Sequence, residues 1–184
     1  IDPHGSDNRG KEFENAIWRN IGKPQLEDYQ CAIEWLLKNK DFIDEKRMGV
    51  YGWSFGGFMA TSLMLRCPDL FPVGIAGGAV TDWKFYEVMY TERYMETPQK
   101  NPDGFEENSL HQYIKNLKGK LLLMHCDNDS VVLWQNTLTL LKAAIKAGKQ
   151  VDYSVYPGYP HNVQGPDRVH LMLKIRDYFN QWLK

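Results

Sequence analysis

The stretch Arg47-Met48-Gly49-Val50-Tyr51-Gly52-Trp53-Ser54-Phe55-Gly56-Gly57-Phe58-Met59-Ala60 decides how the rest of the sequence is interpreted. A short apolar run ends in Gly-x-Ser-x-Gly and passes directly into a helical pattern, as a strand, a tight turn and a helix would if they presented one serine. Such a turn is strained and brings backbone atoms close together, so we expect Gly52 and Gly56 to leave no room for a Cβ atom. The stretch therefore predicts a nucleophile elbow with Ser54 at its tip.

The composition of the 184-residue chain is that of an ordinary globular domain, with 43% hydrophobic and 24% charged residues. This length is enough for one well-buried core and too short for two, so residues 1–184 are expected to form one domain. With a net charge of −1, the sequence lacks the excess of basic residues that is typical of proteins that bind nucleic acid. Metal-ligand spacing is also lacking, so we predict no metal and no cofactor. The cysteines are expected to be buried structural thiols: Cys31, Cys67 and Cys126.

Apolar strand patterns alternate with helical patterns along the chain. The strands are predicted at residues 46–53, 73–80, 120–125 and 151–156, and the helices at 24–39, 55–66, 109–116, 132–147 and 166–183. This alternation predicts parallel βαβ units and a mostly parallel sheet with helices on both faces. Together with the elbow, it indicates an α/β-hydrolase fold. The chemistry of such sheets collects at the carboxyl ends of the strands.

A general base is needed because a serine hydroxyl is a poor nucleophile until a histidine takes its proton. His161 is the best candidate, since it follows the last predicted strand on a loop. His170 lies inside the final predicted helix, and His125 precedes both candidate acids, which would break the chain order of serine, acid and histidine.

The acid that orients the base is less well defined by the residues. Asp127 and Asp129 both follow the third predicted strand. An acid a few residues past the strand end can reach across to the histidine loop, which mildly favours Asp129. The alternative Asp127 stays open at this point.

Two aromatic segments, Trp83-Lys84-Phe85-Tyr86 and Tyr90-Thr91-Glu92-Arg93-Tyr94, stand between the elbow Gly52-Trp53-Ser54-Phe55-Gly56-Gly57 and the acid and histidine loops. Together these segments resemble the catalytic domain of the prolyl oligopeptidase family, in particular its dipeptidyl peptidase IV branch and the bacterial members of that branch. The family's acid loop reads approximately His-Gly-x-x-Asp-x-x-Val and corresponds to His125–Val132, with Cys126 in place of glycine. The resemblance thus implies Asp129 as the acid.

The resemblance implies a serine exopeptidase that releases N-terminal X-Pro or X-Ala dipeptides from peptide substrates through an acyl-enzyme. Ser54 would attack, His161 would move the proton, Asp129 would orient His161, and the N–H of Phe55 would contribute to the oxyanion hole. The pocket for the residue before the cleaved bond would be walled by Val80, Trp83, Tyr86, Tyr90 and Val132. Val131 stands where some members place an asparagine that binds the substrate carbonyl.

The same comparison implies family parts that would lie upstream of these residues. They are a β-propeller domain, the first strands of the hydrolase sheet and a tyrosine that is the second oxyanion donor. We therefore expect an N-terminally truncated hydrolase domain that is weak or inactive alone. A homodimer, or self-association through the edge strand, is expected, and the bacterial relatives suggest the periplasm or cell envelope.

Two other functions are compatible with the residues. Another α/β-hydrolase, such as a carboxylesterase or an acyl-peptide hydrolase, would share the elbow and the triad without the dipeptide specificity. A non-catalytic binding or scaffold domain could keep the fold. The aromatic stretch from Trp83 to Tyr94 counts against the first, and the retention of Ser54, Asp129 and His161 against the second.

Overall fold

The computed structural model describes all residues from Ile1 to Lys184. Four parallel strands form one sheet in the order β1-β2-β3-β4: β1 (Gly49–Trp53), β2 (Val73–Gly77), β3 (Lys120–Cys126) and β4 (Asp152–Tyr156). The α-helices are α1 (Lys11–Asn15), α2 (Lys23–Asn39), α3 (Phe55–Arg66), α4 (Val88–Met95), α5 (Pro102–Glu107), α6 (Gln135–Lys146) and α7 (Asp167–Trp182). None of these helices is long and apolar enough to cross a lipid bilayer.

Both faces of the sheet are covered by helices, as the sequence predicts. On one face, Ala76 and Leu123 join the larger hydrophobic core together with residues of α2, α3 and α6. On the other face, Leu122 and Met124 pack in a smaller core with residues of α7. Every residue of β2 is buried, which explains why this strand is a continuous apolar run and not an alternating one.

The strand ends bring the predicted functional loops to one edge of the sheet. β1 ends at Trp53, β3 at Cys126 and β4 at Tyr156. Because the strands are parallel, the residues that follow them all emerge at the carboxyl edge. β1 pairs only with β2 and is therefore an edge strand.

Two local predictions were wrong. The first strand begins at Gly49 and not at residue 46, because Glu45–Arg47 form a 3-10 turn in which the Asp44 side chain accepts a hydrogen bond from the Lys46 N–H at 3.0 Å. The segment around Asn101 lies in none of the helices predicted from the sequence. It instead begins α5, since the Asn101 side chain accepts from the Gly104 N–H at 3.2 Å.

Other element boundaries differ by a few residues. β2 stops at Gly77, because Gly78 has a φ of +48°. The predicted helix at 109–116 is a 3-10 helix over Leu110–Asn116, and α6 begins three residues later than predicted, at Gln135. The helix α4 was not predicted at all, and Cys31 is exposed, so only two of the three cysteines are buried thiols.

Candidate active site

The nucleophile elbow is formed by the junction of β1 and α3. Ser54 has φ 60° and ψ −121°, a region in which a non-glycine residue is strained by about 1–3 kcal/mol. Its N–H donates to the Gly77 carbonyl at 2.8 Å. A Cβ added at Gly52 would lie 2.0 Å from the Gly56 carbonyl oxygen, whereas a Cβ at Gly56 would meet no atom within 4 Å. The expected close approach is thus present at Gly52, and the expectation for Gly56 was wrong.

The backbone after the serine offers a free donor. Phe55 is the first residue of α3, and an N–H at that position has no acceptor within its own helix. The Ser54 carbonyl accepts from the Phe58 N–H at 3.0 Å, which closes the first turn. The Phe55 N–H thus stands beside the serine at the positive end of the helix dipole, as an oxyanion donor would require.

Asp129 is the carboxylate that meets His161. The His161 Nδ1 lies 2.7 Å from Asp129 Oδ2, and because an ionised carboxylate can only accept, Nδ1 carries the proton and donates. Nε2 is therefore the nitrogen left to act as a base. Asp127 serves elsewhere: its Oδ1 accepts from the Gly158 N–H at 2.6 Å. No hydrogen bond joins His161 to the Ser54 hydroxyl in this conformation.

The charge on Asp129 is held by its hydrogen bonds. Its side chain is fully buried, and its Oδ1 accepts from the N–H groups of Val131 and Val132, both at 2.9 Å. Burial alone would raise the pKa of Asp129, but the bonds from His125, His161 and Val132 together bring the pKa well below its usual range. These contacts therefore favour the ionised carboxylate.

His125 is a residue that the sequence argument considered only as a base and then set aside. It is fully buried, with Nε2 2.8 Å from the Val132 carbonyl and Nδ1 2.7 Å from the Thr137 hydroxyl. Nε2 also lies 3.5 Å from Asp129 Oδ2. The carbonyl can only accept, so Nε2–H donates to it and the hydroxyl donates to Nδ1. His125 thereby connects Val132, at the end of the acid loop, to the Thr137 side chain of α6. Its place at the head of the acid-loop pattern was the only signal for this.

The aromatic residues of the predicted pocket come together around the indole ring of Trp83. Trp83 is only 1% exposed, and its ring is stacked with Tyr90 (centroids 6.0 Å apart) and perpendicular to Tyr86 (5.9 Å). Val80 and Val132 are also buried. Phe58, which the sequence argument did not include, supports Trp83 from the core with centroids 5.1 Å apart. Burial raises the pKa of Tyr90 to about 12, so its hydroxyl stays neutral.

Comparison with known proteins adds a decisive match. The model of the prolyl oligopeptidase family matches residues 1–184. The chain belongs to the prolyl oligopeptidase family. Its fold is accordingly that of an α/β-hydrolase, and the family resemblance stated from the sequence is confirmed.

Named relatives of this family member include human dipeptidyl peptidase 8, which is 35% identical over 98% of the chain. Two solved structures are also similar. A Bacteroides ovatus protein described as a dipeptidyl aminopeptidase IV is 49% identical with a TM-score of 0.96, and Porphyromonas gingivalis dipeptidyl peptidase 4 is 30% identical with a TM-score of 0.92; both comparisons cover 98% of the chain. The chain spans 21% of the length of the human relative and 26% of each solved chain.

A second buried carboxylate fixes the turn that carries Trp83 in this family member. Asp82 Oδ1 accepts from the Lys84 N–H at 2.9 Å, and Oδ2 accepts from the Ser109 hydroxyl at 2.8 Å. The His111 Nδ1 lies 3.6 Å from the same Oδ2. Burial would raise the pKa of Asp82, but hydrogen bonds from His111, Lys84 and Ser109 lower it. Sequence reasoning missed this cluster because its members come from separate segments.

Replacing Asp82 by asparagine is expected to destabilise the fold in a pH-dependent way. Because the pKa of Asp82 is lower in the folded state than the unfolded value of about 3.9, its charge stabilises the fold above that value, and this stabilisation is lost as the pH falls through the folded pKa. The difference in the free energy of unfolding between wild type and Asp82→Asn should therefore be largest at neutral pH and shrink below about pH 4.

Urea unfolding at pH 7 and pH 3 would measure this difference. The control is Asp69→Asn, since the Asp69 side chain is 81% exposed and paired only with the exposed Lys118, an arrangement that contributes little. An Asp82→Asn effect that is equal at both pH values would contradict the assignment.

No three His, Cys, Asp or Glu side chains gather in the structure as the ligands of a metal ion would. The chemistry available at the carboxyl edge of the sheet is that of a serine, an imidazole, a buried carboxylate and backbone N–H groups.

Proposed function

We propose that this chain is part of the catalytic domain of a serine exopeptidase that releases N-terminal X-Pro or X-Ala dipeptides from peptides. The observation that carries the proposal is the 2.7 Å bond between His161 Nδ1 and the fully buried Asp129, at the same sheet edge as the strained Ser54. The names of the relatives, which include dipeptidyl peptidases from human and Porphyromonas gingivalis, support the same activity.

In the proposed mechanism, the Ser54 Oγ attacks the carbonyl carbon of the second substrate residue, and His161 Nε2 takes the hydroxyl proton. Asp129 stabilises the imidazolium that forms. The negative oxygen of the tetrahedral intermediate accepts from the Phe55 N–H. His161 then gives its proton to the leaving amine, the peptide bond breaks, and a dipeptidyl ester of Ser54 remains. A water molecule then attacks this ester while His161 takes its proton, and His161 returns that proton to the Ser54 Oγ as the dipeptide leaves. The missing Ser54–His161 hydrogen bond would form on substrate binding, as such bonds often tighten only in the complex.

The aromatic pocket supports a small, rigid residue before the cleaved bond. Trp83, Tyr86 and Tyr90 hold one another through perpendicular and stacked contacts at 5.2–6.0 Å, and Val80 and Val132 belong to the same hydrophobic core as Trp83. An apolar aromatic wall favours the flat proline ring, and it rejects charged side chains because their desolvation would be uncompensated.

The surroundings of this domain are proposed from the resemblance. The chain spans about a quarter of the solved relatives, which supports a longer protein with an upstream β-propeller, the first hydrolase strands and a second oxyanion donor. The exposed edge of β1 suits either such a preceding strand or self-association, and a homodimer through this domain is proposed. A periplasmic or cell-envelope location is suggested by the bacterial relatives.

Fluorophosphonate labelling followed by peptide mass spectrometry tests the proposed function. We expect Ser54 to be modified in the wild-type chain, and expect neither Ser54→Ala nor His161→Ala to react, because the serine is unreactive without its base. Labelling that persists in His161→Ala would contradict the triad.

Substrate assays of the full-length protein separate the competing activities. Hydrolysis of X-Pro amides supports the exopeptidase. Turnover of p-nitrophenyl acetate without any X-Pro amide hydrolysis would identify a carboxylesterase-like enzyme, and no activity on either would favour a binding or scaffold domain.

A further inference from the structure

We propose that Trp53 is a positioning residue that holds the backbone of His161 in register with the nucleophile. The Trp53 Nε1–H donates to the His161 carbonyl at 2.9 Å. Trp53 is the last residue of β1 and directly precedes Ser54 in the chain. One side chain therefore connects the strand that carries the nucleophile to the loop that carries the base. This inference rests on the proposed role of His161 as the general base.

The two glycines that follow the centre of β2 make room for this connection. Gly77 lies opposite Trp53 in the sheet register, and a Cβ there would be 1.9 Å from the indole ring. At Gly78, a Cβ would lie 3.3 Å from Trp53 Nε1 and 3.1 Å from the His161 ring. The indole and the imidazole thus lie next to each other over bare backbone.

This bare backbone is itself anchored. The Gly78 N–H donates to the Met124 carbonyl at 2.8 Å, and the Gly77 carbonyl accepts from the Ser54 N–H. The backbone of Gly77 and Gly78, over which Trp53 and His161 lie, is therefore hydrogen-bonded to the end of β1 and to β3. The two side chains therefore lie on a backbone segment that is itself held in place by hydrogen bonds.

Two bonds at opposite ends of the histidine determine where its Nε2 points. Asp129 holds the ring at Nδ1, and this bond alone would allow the residue to pivot about the contact. Trp53 holds the main chain of the same residue. With both ends held, Nε2 has a defined position relative to Ser54, and loss of the indole bond releases the main-chain end.

The test compares Trp53→Phe with Trp134→Phe in the 184-residue chain. Phenylalanine keeps a flat ring over Gly77 but removes the N–H donor. Trp134 is the matched control, because its indole N–H also donates to a protein oxygen, that of the Tyr153 hydroxyl, and not to any residue of the proposed triad. Loss of the bond at Trp53 is expected to slow fluorophosphonate labelling of Ser54 by about 10- to 100-fold, since small displacements of a catalytic group have effects of this size.

In the full-length protein, the same change is expected to lower kcat for an X-Pro amide while KM stays within about twofold, because the pocket is untouched and only proton transfer is displaced. Trp134→Phe should leave both the labelling rate and kcat near wild type. Equal labelling rates for Trp53→Phe and the wild type would overturn the proposal, as would a fall that Trp134→Phe shares.

A measurement without turnover separates this proposal from the proposed function. The His161 Nδ1–H that is bonded to a buried carboxylate gives a strongly downfield proton NMR resonance, identified by its loss in His161→Ala. Because the ring then pivots about the Asp129 contact, we expect this resonance to shift or broaden in Trp53→Phe and to stay as in the wild type in Trp134→Phe. If the wild type is not labelled but the resonance depends on Trp53, the proposed function fails while the positioning role stands. If the resonance is unchanged in Trp53→Phe, the positioning role is overturned.

Discussion

Replacing Asp129 by asparagine is expected to lower kcat about 10⁴-fold, because an amide cannot hold the Nδ1–H tautomer of the base or stabilise the imidazolium. Asp127→Asn should stay within a few-fold of wild type. The Asp127 Oδ1 only accepts a hydrogen bond from the Gly158 N–H, and an asparagine oxygen can replace it in that role. The two carboxylates follow the same strand, two residues apart, so each variant is the natural control for the other.

The comparison is made twice. X-Pro amide turnover by the full-length protein gives kcat, and the rate of fluorophosphonate labelling of Ser54 gives the reactivity of the triad without dipeptide binding. Thermal unfolding of both variants shows whether the fold is kept. Equal losses in Asp127→Asn and Asp129→Asn, or a larger loss in Asp127→Asn, would reassign the acid.

Gly52→Ala is expected to destabilise the fold by about 3 kcal/mol or more, since its Cβ would lie 2.0 Å from the Gly56 carbonyl oxygen, and only backbone movement can relieve such a clash. That movement would displace Ser54, so labelling should be lost as well. Gly56→Ala is the matched control in the same motif. It has open space around the added methyl group, and alanine is favoured over glycine in a helix by about 0.5–1 kcal/mol.

Urea unfolding and Ser54 labelling of the two variants check this pair. A Gly52→Ala chain that unfolds at the wild-type urea concentration would show that the elbow relaxes easily. Strong destabilisation by Gly56→Ala would show that the backbone also approaches closely at the second glycine, as the sequence argument expected for both.

An element of the fold could be predicted where its residue pattern is compatible with only one type of secondary structure. The continuous apolar run of β2 and the helical spacing of α2 each fit a single element. The segment Asn101–Gly104 has two solutions, because asparagine followed by proline begins a helix as readily as it begins a turn. The residues before Gly49 likewise fit a strand extension until Asp44 caps a 3-10 turn.

The site was predictable where chain order carries the information and unpredictable where packing does. Ser54 and His161 follow from the order of motifs and strands. Asp127 and Asp129 could not be separated by spacing alone, because the choice depends on which carboxylate faces the histidine loop across 32 residues of chain. The Asp82 cluster joins Ser109 from 27 residues away, and His125 acts through Thr137. Such pairings arise only when the helices pack.

The three residues of the proposed triad are far apart in the sequence, so the triad can assemble only after distant parts of the chain have come together. Ser54 and Asp129 are 75 residues apart (129 − 54), Asp129 and His161 are 32 apart, and each follows a strand whose parallel partner is reached only through a crossover. Non-local pairings of this kind form slowly, because the entropy of loop closure must be overcome before the contacts are made. A nascent or misfolded copy therefore has no assembled triad, so in the proposed peptidase the topology itself would delay activity until the chain is native.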